Sequence, residues 1–326
     1  PRIVYEQLAR ERVTRVIASP SLLERLARHC VDQHLQLPSI RRISTGGGPV
    51  SPTLAGRIAA IAPNSFFQMV YGSTEAEPIA TINGDEVSAC DRRRMREGAG
   101  LLVGHAVQGC DVQIIRHAPP QEIGACSHGE FESLFVTPGV VDSIGEIVVS
   151  GKHVLQGYVN TQHNLSTKID VDSNIWHRTG DAGYFDAGSR LWLVGRCSAA
   201  IRDCNGAVYP FQVEYAVNNV AGVHRSALVC HAGARALVVE AIGREFRSDC
   251  VAAARCIAKF HIDRILTVRK IPMDKRHNSK VDYVALSQLL NAPGERYRMA
   301  TIEWLSILFR SVRSAFQRVM HSFHQS

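Results

Sequence analysis

Patterns typical of strands and of helices alternate along the first part of the chain, and this alternation constrains the fold more than any other feature. A helix is predicted from Pro20, because proline fits the first helical position. Its predicted apolar face consists of Leu22, Leu23, Leu26, Ala27 and Cys30. Short strands are predicted at residues 41–45 and 65–70, and a second helix from Pro52. This order predicts an α/β architecture with a largely parallel sheet.

The rest of the chain is predicted to be richer in strands and to repeat the pattern on a smaller scale. The predicted strands are 111–116, 146–150, 191–194, 226–230, 236–241 and 265–270, and the predicted helices are 211–218, 249–260 and 283–290. The later group has a common small-domain size of about a hundred residues. We therefore predict part of a large α/β domain at residues 1–195, a small α+β domain at 196–290 and a helical tail at 291–326.

Composition and charge limit the class of protein. Apolar residues make up 45% of the 326 residues, enough for a sizeable core, and no apolar run is long enough to span a bilayer. No charged and then apolar leader follows Pro1, and we expect residues to precede it in the natural chain. The net charge of +7 comes mainly from arginine. The one dense run, at residues 92–96, lacks interleaved aromatics and predicts a solvated loop rather than a nucleic-acid site.

Cysteine usage indicates the compartment. The chain has nine cysteines and no CxxC pair, and their spacing matches neither a zinc site nor a disulfide framework. We predict a reduced, cytoplasmic protein whose cysteines are small buried thiols.

The strongest local signal is Tyr71-Gly72-Ser73-Thr74-Glu75, which follows a predicted strand and is preceded by the loop Gly46-Gly47-Gly48-Pro49. Glycines let the backbone approach a flat or anionic ligand, a tyrosine offers a stacking face for a base, and a hydroxyl can hydrogen-bond a phosphate oxygen. A carboxylate can hold Mg²⁺, which prefers oxygen ligands and usually also binds substrate phosphates. Each piece alone is weak, because a glycine loop is more often a turn and a single glutamate is usually a surface charge.

Three further signals follow along the chain. Residues 176–181, Trp-His-Arg-Thr-Gly-Asp, present an aspartate after a glycine turn. Such an aspartate can accept hydrogen bonds from both hydroxyls of a ribose, or it can simply cap a turn. Gly195-Arg196 comes next, followed by Gly206, Pro210 and Glu214. The last signal is Lys280 in a polar segment; an isolated lysine is usually exposed, and only phosphate chemistry would make it special.

Together and in this order, the four signals resemble the adenylate-forming superfamily of acyl-CoA synthetases, peptide-synthetase adenylation domains and luciferases. Residues 71–75 look like the family's YGxTE motif, residues 178–181 like its RTGD motif, and Gly195-Arg196 like the start of its hinge. Residues 145–151, followed by Gly157-Tyr158, are similar to its GEIxxxG…GY segment. The resemblance covers nearly all of the chain except the tail. It implies the C-terminal part of a large adenylate-forming N-domain, followed by a small mobile α+β domain.

Within the superfamily, several segments look most like the olefin β-lactone synthetase branch. These segments are residues 176–186, 190–192, 225–229 and 276–280. His277-Asn278 stands where many acyl-CoA ligases carry Ser-Gly.

The chain departs from the family pattern in two places. The Gly-, Ser- and Thr-rich phosphate loop with its lysine is not in this sequence, and we expect it upstream of Pro1. After Gly195-Arg196 the β-lactone branch usually reads Lys-Ser-His-Arg, whereas this chain has Cys197-Ser198-Ala199-Ala200. The hinge has therefore lost basic groups.

The resemblance implies ATP as substrate and Mg²⁺ as cofactor, and it gives each motif residue a role. Glu75 would hold the metal, and Lys280 would stabilise negative charge on the α-phosphate and the carboxylate. Thr74 would bond phosphate, Tyr71 would pack on adenine and Asp181 would anchor the ribose. The other implied nucleotide-binding residues are Gly47, Gly48 and Pro49, which would line the adenine pocket, and Gly72, Ser73 and Arg196.

Three functional interpretations stay open on the sequence. The first is an AMP-forming ligase that activates a long-chain, β-hydroxy carboxylic acid as an acyl-adenylate and closes it to a β-lactone. The second is a fatty acid–CoA or acyl-AMP ligase, which shares the adenylation residues. The third is a catalytically inactive remnant that lacks the phosphate loop. The implied partners are ATP, AMP and the acid, with no nucleic acid.

The tail has a helical periodicity of its own. Its apolar positions are Ile302, Leu305, Phe309, Val312, Phe316, Val319 and Phe323. Arginines at positions 310, 313 and 318 lie between them. An amphipathic helix over residues 302–323 would cover its own domain or a second copy in a homo-oligomer, or lie in a membrane interface. A disordered extension is the third interpretation.

Overall fold

The computed structural model describes residues 1–50, 52–116, 123–136, 143–220, 222–241, 256–274, 280–292 and 298–299. The strands are β1 Arg15–Ala18, β2 Arg42–Gly46, β3 Phe66–Ser73, β4 Ala76–Asn83, β5 Leu101–Ala106, β6 Cys110–Ile115, β7 Ala125–Cys126, β8 Gly145–Gly151, β9 Lys168–Val171, β10 Asn174–Phe185, β11 Leu191–Arg196, β12 Ile201–Asp203, β13 Gly206–Val208, β14 Val223–His231, β15 Ala234–Ala241, β16 Arg264–Val268 and β17 Arg298–Met299. The helices are α1 Arg2–Arg10, α2 Pro20–Asp32, α3 Pro52–Ile61, α4 Ala89–Arg94, α5 His128–Ser133, α6 Gln162–Thr167, α7 Pro210–Asn218 and α8 Tyr283–Asn291, with a π-helix at Met95–Ala99 and a 3-10 helix at Cys197–Ala199.

The chain divides into two compact units. The first contains Pro1–Ala89, Leu102–Leu193 and Lys280, and the second contains Cys90–Leu101, Val194–Asp274 and the described residues from Val281 onward. None of the described helices is long and apolar enough to cross a membrane.

The α2 helix shows how the sequence pattern fixes the local structure of the first unit. The Ser19 hydroxyl accepts a hydrogen bond from the backbone N–H of Leu22 at 3.4 Å, which caps the helix next to its Pro20 start. The buried face of α2 consists of Leu23, Leu26, Ala27 and Cys30, and it packs with apolar residues of β2, α3 and β3. The predicted helix is confirmed, although Leu22 lies outside this face with 40% of its surface exposed.

Eleven strands of the described chain form one sheet. Its order is β1-β2-β3-β4-β5-β11-β10-β8-β6, with β9 paired to β10 and β7 paired to β9. The strands β1, β2 and β3 are parallel neighbours, as expected for strands separated by helices. The mixed α/β fold with a large sheet is thereby confirmed.

The prediction of a largely parallel sheet is wrong beyond β3. The pairs β3–β4, β4–β5, β6–β8, β8–β10 and β9–β10 are antiparallel. Tight turns explain two of these pairs: two residues join β3 to β4, and Asp172 and Ser173, both at positive φ, join β9 to β10. Two-residue turns can connect only antiparallel strands, whereas parallel strands need a long crossover.

The arginine run is helical, so the prediction of a solvated loop is wrong. Residues 92–94 end α4, and Arg96 lies in the π-helix that follows. Asp91 and Met95, four positions apart, are buried and give this segment an inward face that the charge pattern concealed.

The second unit combines helices with a four-stranded sheet in the order β14-β15-β16-β17 and the hairpin β12–β13. Apolar side chains from α7, from β14, β15 and β16 and from residues 256–260 form its core. The predicted helices at 211–218 and 283–290 and the three predicted strands are all present, with bounds shifted by up to three residues. Residues 256–259 are helical, whereas the start of the predicted helix at 249–255 and the tail helix at 302–323 lie outside the described residues.

Candidate nucleotide-binding site

The Gly47-Gly48-Pro49 loop begins where β2 ends, beside the end of the parallel strand β3. Gly46 pairs with Val70 in the register of the two strands, and Gly47 follows with φ of +77°, a conformation that favours glycine. A Cβ on Gly46 would come within 2.6 Å of the Val70 carbonyl oxygen. Ligands of α/β sheets bind outside the carboxyl ends of the strands, so this loop lies at the edge where a ligand is expected.

The Tyr71–Glu75 motif lies partly inside β3 rather than after it. Tyr71, Gly72 and Ser73 are the last strand residues, and Thr74 and Glu75 form the turn into β4. Tyr71 is buried, Glu75 is half-buried and Thr74 is exposed. The motif therefore presents its hydroxyl and its carboxylate at the same edge of the sheet as the glycine loop.

The Arg178–Asp181 motif lies within β10, at an irregularity in its pairing with β8 between Arg178 and Ala182. The sequence predicted an aspartate after a glycine turn, and the structure instead has a bulged strand with Gly180 at φ of +69°. The Thr179 hydroxyl donates to the Ile147 carbonyl at 2.8 Å and accepts from the backbone N–H of Asp181 at 3.1 Å. These bonds hold Asp181 in place.

The two motifs meet although 110 positions separate them. The Tyr71 hydroxyl donates to Asp181 Oδ2 at 2.9 Å. The contact places an aromatic ring that can stack on a base beside a carboxylate that can accept hydrogen bonds from ribose hydroxyls. One nucleotide would need both groups. Their roles in nucleotide binding stay predictions.

A buried ion pair supports the bulge, and sequence reasoning missed it. Arg178 Nη2 lies 2.6 Å from Glu146 Oε2, and Glu146 Oε1 accepts from the backbone N–H of Gly180 at 3.3 Å. Only 6% of the Arg178 side chain and 4% of the Glu146 side chain are exposed. The family pattern contained both residues, but it carried no sign that they bond each other.

Glu75 has the properties of an ionised ligand for a hard cation. Burial raises its pKa, but hydrogen bonds from the Tyr158 hydroxyl and from its own backbone outweigh this and hold the pKa below its ordinary value. The Tyr158 hydroxyl donates to Glu75 Oε1 at 2.9 Å. Burial and the neighbouring Glu75 raise the pKa of Tyr158 to about 12, so this hydroxyl stays protonated and keeps donating.

Glu75 fits Mg²⁺ as a single protein ligand. Mg²⁺ is usually bound through one or two carboxylates plus substrate phosphates and water. Among the residues that the structure describes, no group of three or more His, Cys, Asp and Glu side chains could hold a metal alone. A carboxylate that stays ionised at neutral pH is what such a shared site requires.

Two further residues predicted for the site, Arg196 and Lys280, are both exposed. Arg196 is exposed at the end of β11. Lys280 is exposed and immediately precedes Val281, whose backbone bridges Met273. His277 and Asn278 lie outside the described residues.

Comparison with known proteins supports these motifs. The family model of AMP-binding enzymes matches residues 1–159. An olefin beta-lactone synthetase of Stenotrophomonas maltophilia is 32% identical over 91% of this chain and 54% of its own length. Its counterpart from Xanthomonas campestris is 31% identical over 86% of this chain and 52% of its own length. The chain thus spans about half the length of these curated relatives.

Solved structures share the fold. An amide bond synthetase from Marinactinospora thermotolerans has a TM-score of 0.67 at 24% identity, over 90% of this chain and 55% of that protein. The O-succinylbenzoate coenzyme A synthetase of Bacillus subtilis, in complex with AMP, has a TM-score of 0.64 at 20% identity, over 90% of this chain and 54% of that protein. Residues 1–159 belong to the family of AMP-binding enzymes, and over most of its length the chain is similar to olefin β-lactone synthetases.

Proposed function

We propose that this chain carries part of the active site of an AMP-forming ligase, which activates a long-chain β-hydroxy carboxylic acid with ATP. The observation that carries the proposal is the contact between Tyr71 and Asp181, with the ionised Glu75 four residues from Tyr71 along the chain. This arrangement brings together a ring for base stacking (Tyr71), an acceptor for the ribose (Asp181) and a metal ligand (Glu75) at one edge of the sheet. The similarity to olefin β-lactone synthetases supports the choice of acid.

In the first step the carboxylate oxygen of the acid bonds to the α-phosphorus of ATP, and the bond from that phosphorus to the pyrophosphate breaks. Such a step needs positioning and charge neutralisation more than covalent help. Mg²⁺ would supply neutralisation of phosphate charge, and Glu75 would hold it. Tyr71 and Asp181 would orient the adenosine, Thr74 would bond phosphate and Lys280 would stabilise the charge that develops between phosphate and carboxylate.

In the second step the β-hydroxyl oxygen of the same molecule attacks the activated carbonyl carbon. The bond from that carbon to the AMP oxygen breaks, AMP leaves, and the hydroxyl proton passes to solvent as the four-membered ring closes. Holding both groups in one pocket makes the attack unimolecular, which helps to offset ring strain.

His277-Asn278 supports the lactone over the thioester, because many acyl-CoA ligases carry Ser-Gly at this position. A thioester-forming relative would rotate its small domain about a hinge to admit coenzyme A. We propose that this hinge starts at Gly195-Arg196. The Cys197-Ser198-Ala199-Ala200 that follows replaces the basic residues of the β-lactone branch, and this departure favours the inactive remnant rather than either product. A product formed within one molecule needs no such second substrate. A fatty acid–CoA ligase or acyl-AMP ligase is the alternative, supported by similarity to an indoleacetate–CoA ligase of Aromatoleum aromaticum at 29% identity over 64% of this chain.

Product analysis tests the proposal. The assay uses this chain preceded by the segment of the family's large domain that carries the phosphate loop, referred to below as the extended chain. With ATP, coenzyme A and a long-chain β-hydroxy acid, we expect a product with the mass of the acid less one water, and one AMP per product. A coenzyme A thioester as the product would support the ligase alternative.

The same assay on the 326-residue chain alone tests the third interpretation. Activity is expected only in the extended chain, because the phosphate loop neutralises the charge of the leaving pyrophosphate. If the extended chain also releases no pyrophosphate, the protein is an inactive remnant.

Replacing Asp181 with alanine is expected to weaken AMP binding to the extended chain about a hundredfold. Two ribose hydrogen bonds to an ionised group are lost, and two such bonds are together worth about 3 kcal/mol or more. Calorimetric titration of AMP measures the effect, with Asp85→Ala as a matched control at an exposed turn position. Equal affinity in the Asp181 variant and the wild type would leave Asp181 as a structural residue of β10.

The tail allows a test of location. We propose a cytoplasmic enzyme whose residues 302–323 form an amphipathic helix over its own domain or a second copy, because most such helices cover a core. Co-sedimentation with anionic vesicles, of chains with and without the residues after Asn291, measures membrane contact. Both chains are expected in the supernatant; pelleting of the longer one alone would show an interfacial helix whose arginines favour anionic lipid.

A further inference from the structure

Lys168 is buried without having been part of any motif that the sequence singled out. It is the first residue of β9, and only 7% of its surface is exposed. Burial lowers the pKa of its ammonium group, and the nearby Glu75 partly offsets this. A lysine is almost never fully buried unless its charge is compensated, so its surroundings call for an explanation.

The Lys168 ammonium group contacts residues 155–158, the segment that hydrogen-bonds Glu75. Its Nζ donates to the Leu155 carbonyl oxygen and lies 5.6 Å from the centroid of the Tyr158 ring, within cation–π range. It also lies 3.3 Å from Nδ1 of the buried His177, the residue opposite it in the β9–β10 pairing.

The same segment bonds Glu75 at two points. The backbone N–H of Leu155 donates to the Glu75 carbonyl oxygen at 2.7 Å. The Tyr158 hydroxyl donates to Glu75 Oε1 at 2.9 Å. Residues 155–158 therefore contact both Lys168 and the candidate metal ligand.

We infer that Lys168 is a positioning residue that acts through Tyr158: it fixes the Tyr158 ring and the Leu155 carbonyl, so that the Tyr158 hydroxyl sets the orientation of the Glu75 carboxylate toward Mg²⁺. The inference rests on the proposed function, in which Glu75 holds the metal. A carboxylate has about four lone-pair sites, so the hydrogen bonds from Tyr158 and from the backbone of Glu75 itself still leave acceptor capacity for a cation. Hydrogen bonds to a ligating carboxylate commonly tune the affinity of a metal site.

Mn²⁺ binding in the presence of ATP tests the inference, with electron paramagnetic resonance of free Mn²⁺ as the readout. In the extended chain, Lys168→Met and Tyr158→Phe are each expected to weaken Mn²⁺ binding about tenfold, the lower end of the effect typical of such supporting residues. The affinity for AMP without metal is expected to stay the same, because Tyr71 and Asp181 are intact. Lys152→Met and Tyr5→Phe are matched controls, one on an exposed lysine and one on a tyrosine of α1.

A double variant tests the route through Tyr158. If Lys168 acts through that residue, Lys168→Met combined with Tyr158→Phe weakens Mn²⁺ binding no more than either change alone. Additive losses would contradict the route. Tyr158→Phe removes one hydroxyl and keeps the ring, so an unchanged Mn²⁺ affinity in this variant overturns the inference whatever Lys168→Met does.

Glu75→Gln separates the inference from the proposed function. A loss of Mn²⁺ binding in Glu75→Gln, with no change in Tyr158→Phe and Lys168→Met, removes the positioning role and leaves Glu75 as the metal ligand. Unchanged Mn²⁺ binding in Glu75→Gln contradicts the metal role itself, and the positioning inference fails with it.

Discussion

Replacing Lys280 with alanine in the extended chain is expected to slow adenylate formation by about three orders of magnitude. A group that stabilises charge developing in the transition state is typically worth 10²- to 10³-fold in rate, and the α-phosphate and the attacking carboxylate share one such charge. Binding of ATP and the acid should change little, because the lysine acts mainly in the transition state. Single-turnover release of pyrophosphate measures the rate.

A matched lysine makes the Lys280 experiment specific. Lys270 is exposed, as Lys280 is, and it lies after β16, so Lys270→Ala removes the same charge outside the proposed site. It is expected to leave the rate unchanged. Pyrophosphate release at the wild-type rate in Lys280→Ala would remove Lys280 from the chemistry and leave it a surface lysine.

Breaking the buried pair of Arg178 and Glu146 is expected to have the largest effect on stability. Arg178→Met leaves the Glu146 carboxylate buried without its guanidinium, and removing one partner of such a pair costs about 3–5 kcal/mol of unfolding free energy. Urea unfolding followed by tryptophan fluorescence measures the change, since Trp176 and Trp192 are buried in the first unit.

An exposed ion pair is the control for this prediction. Arg10 and Glu11 lie 2.8 Å apart with 74% and 56% of their side chains exposed, and Arg10→Met is expected to cost at most about 1 kcal/mol. Combining Arg178→Met with Glu146→Gln should recover part of the loss, because no unpaired charge then remains buried. Equal destabilisation by Arg10→Met and Arg178→Met would mean that the buried pair does not hold the bulge of β10.

The sequence predicted helices and strands correctly where apolar residues recur with one clear spacing. The α2 helix followed from its proline start and its apolar face, and the segments predicted at 211–218 and 226–230 lie within α7 and β14. Strand direction could not be predicted as well, because it depends on the connections. The two-residue turn at Asp172-Ser173 carries no glycine or asparagine to mark it, and the turn at Thr74-Glu75 was interpreted as a ligand motif.

The candidate site was predicted only in part. The order of motifs along the chain identifies residues, but it does not show which of them contact each other. The sequence identified Tyr71 and Asp181 separately, and their contact at 2.9 Å became visible only in the fold. Tyr158 lies 83 positions from Glu75, and no local pattern marks it as the donor to that carboxylate. Lys168 was missed for a physical reason, since a lone lysine in a polar stretch indicates exposure and only tertiary packing buries it.

The most direct test of the central claim is exchange of labelled pyrophosphate into ATP by the extended chain. Exchange reports reversible formation of an acyl-adenylate, whatever product follows it. We expect exchange that requires a long-chain β-hydroxy acid and Mg²⁺, and that falls sharply in Asp181→Ala and in Lys280→Ala. Exchange that does not depend on the acid, or none at all from a folded extended chain that binds ATP, would contradict the claim that these residues form an adenylation site.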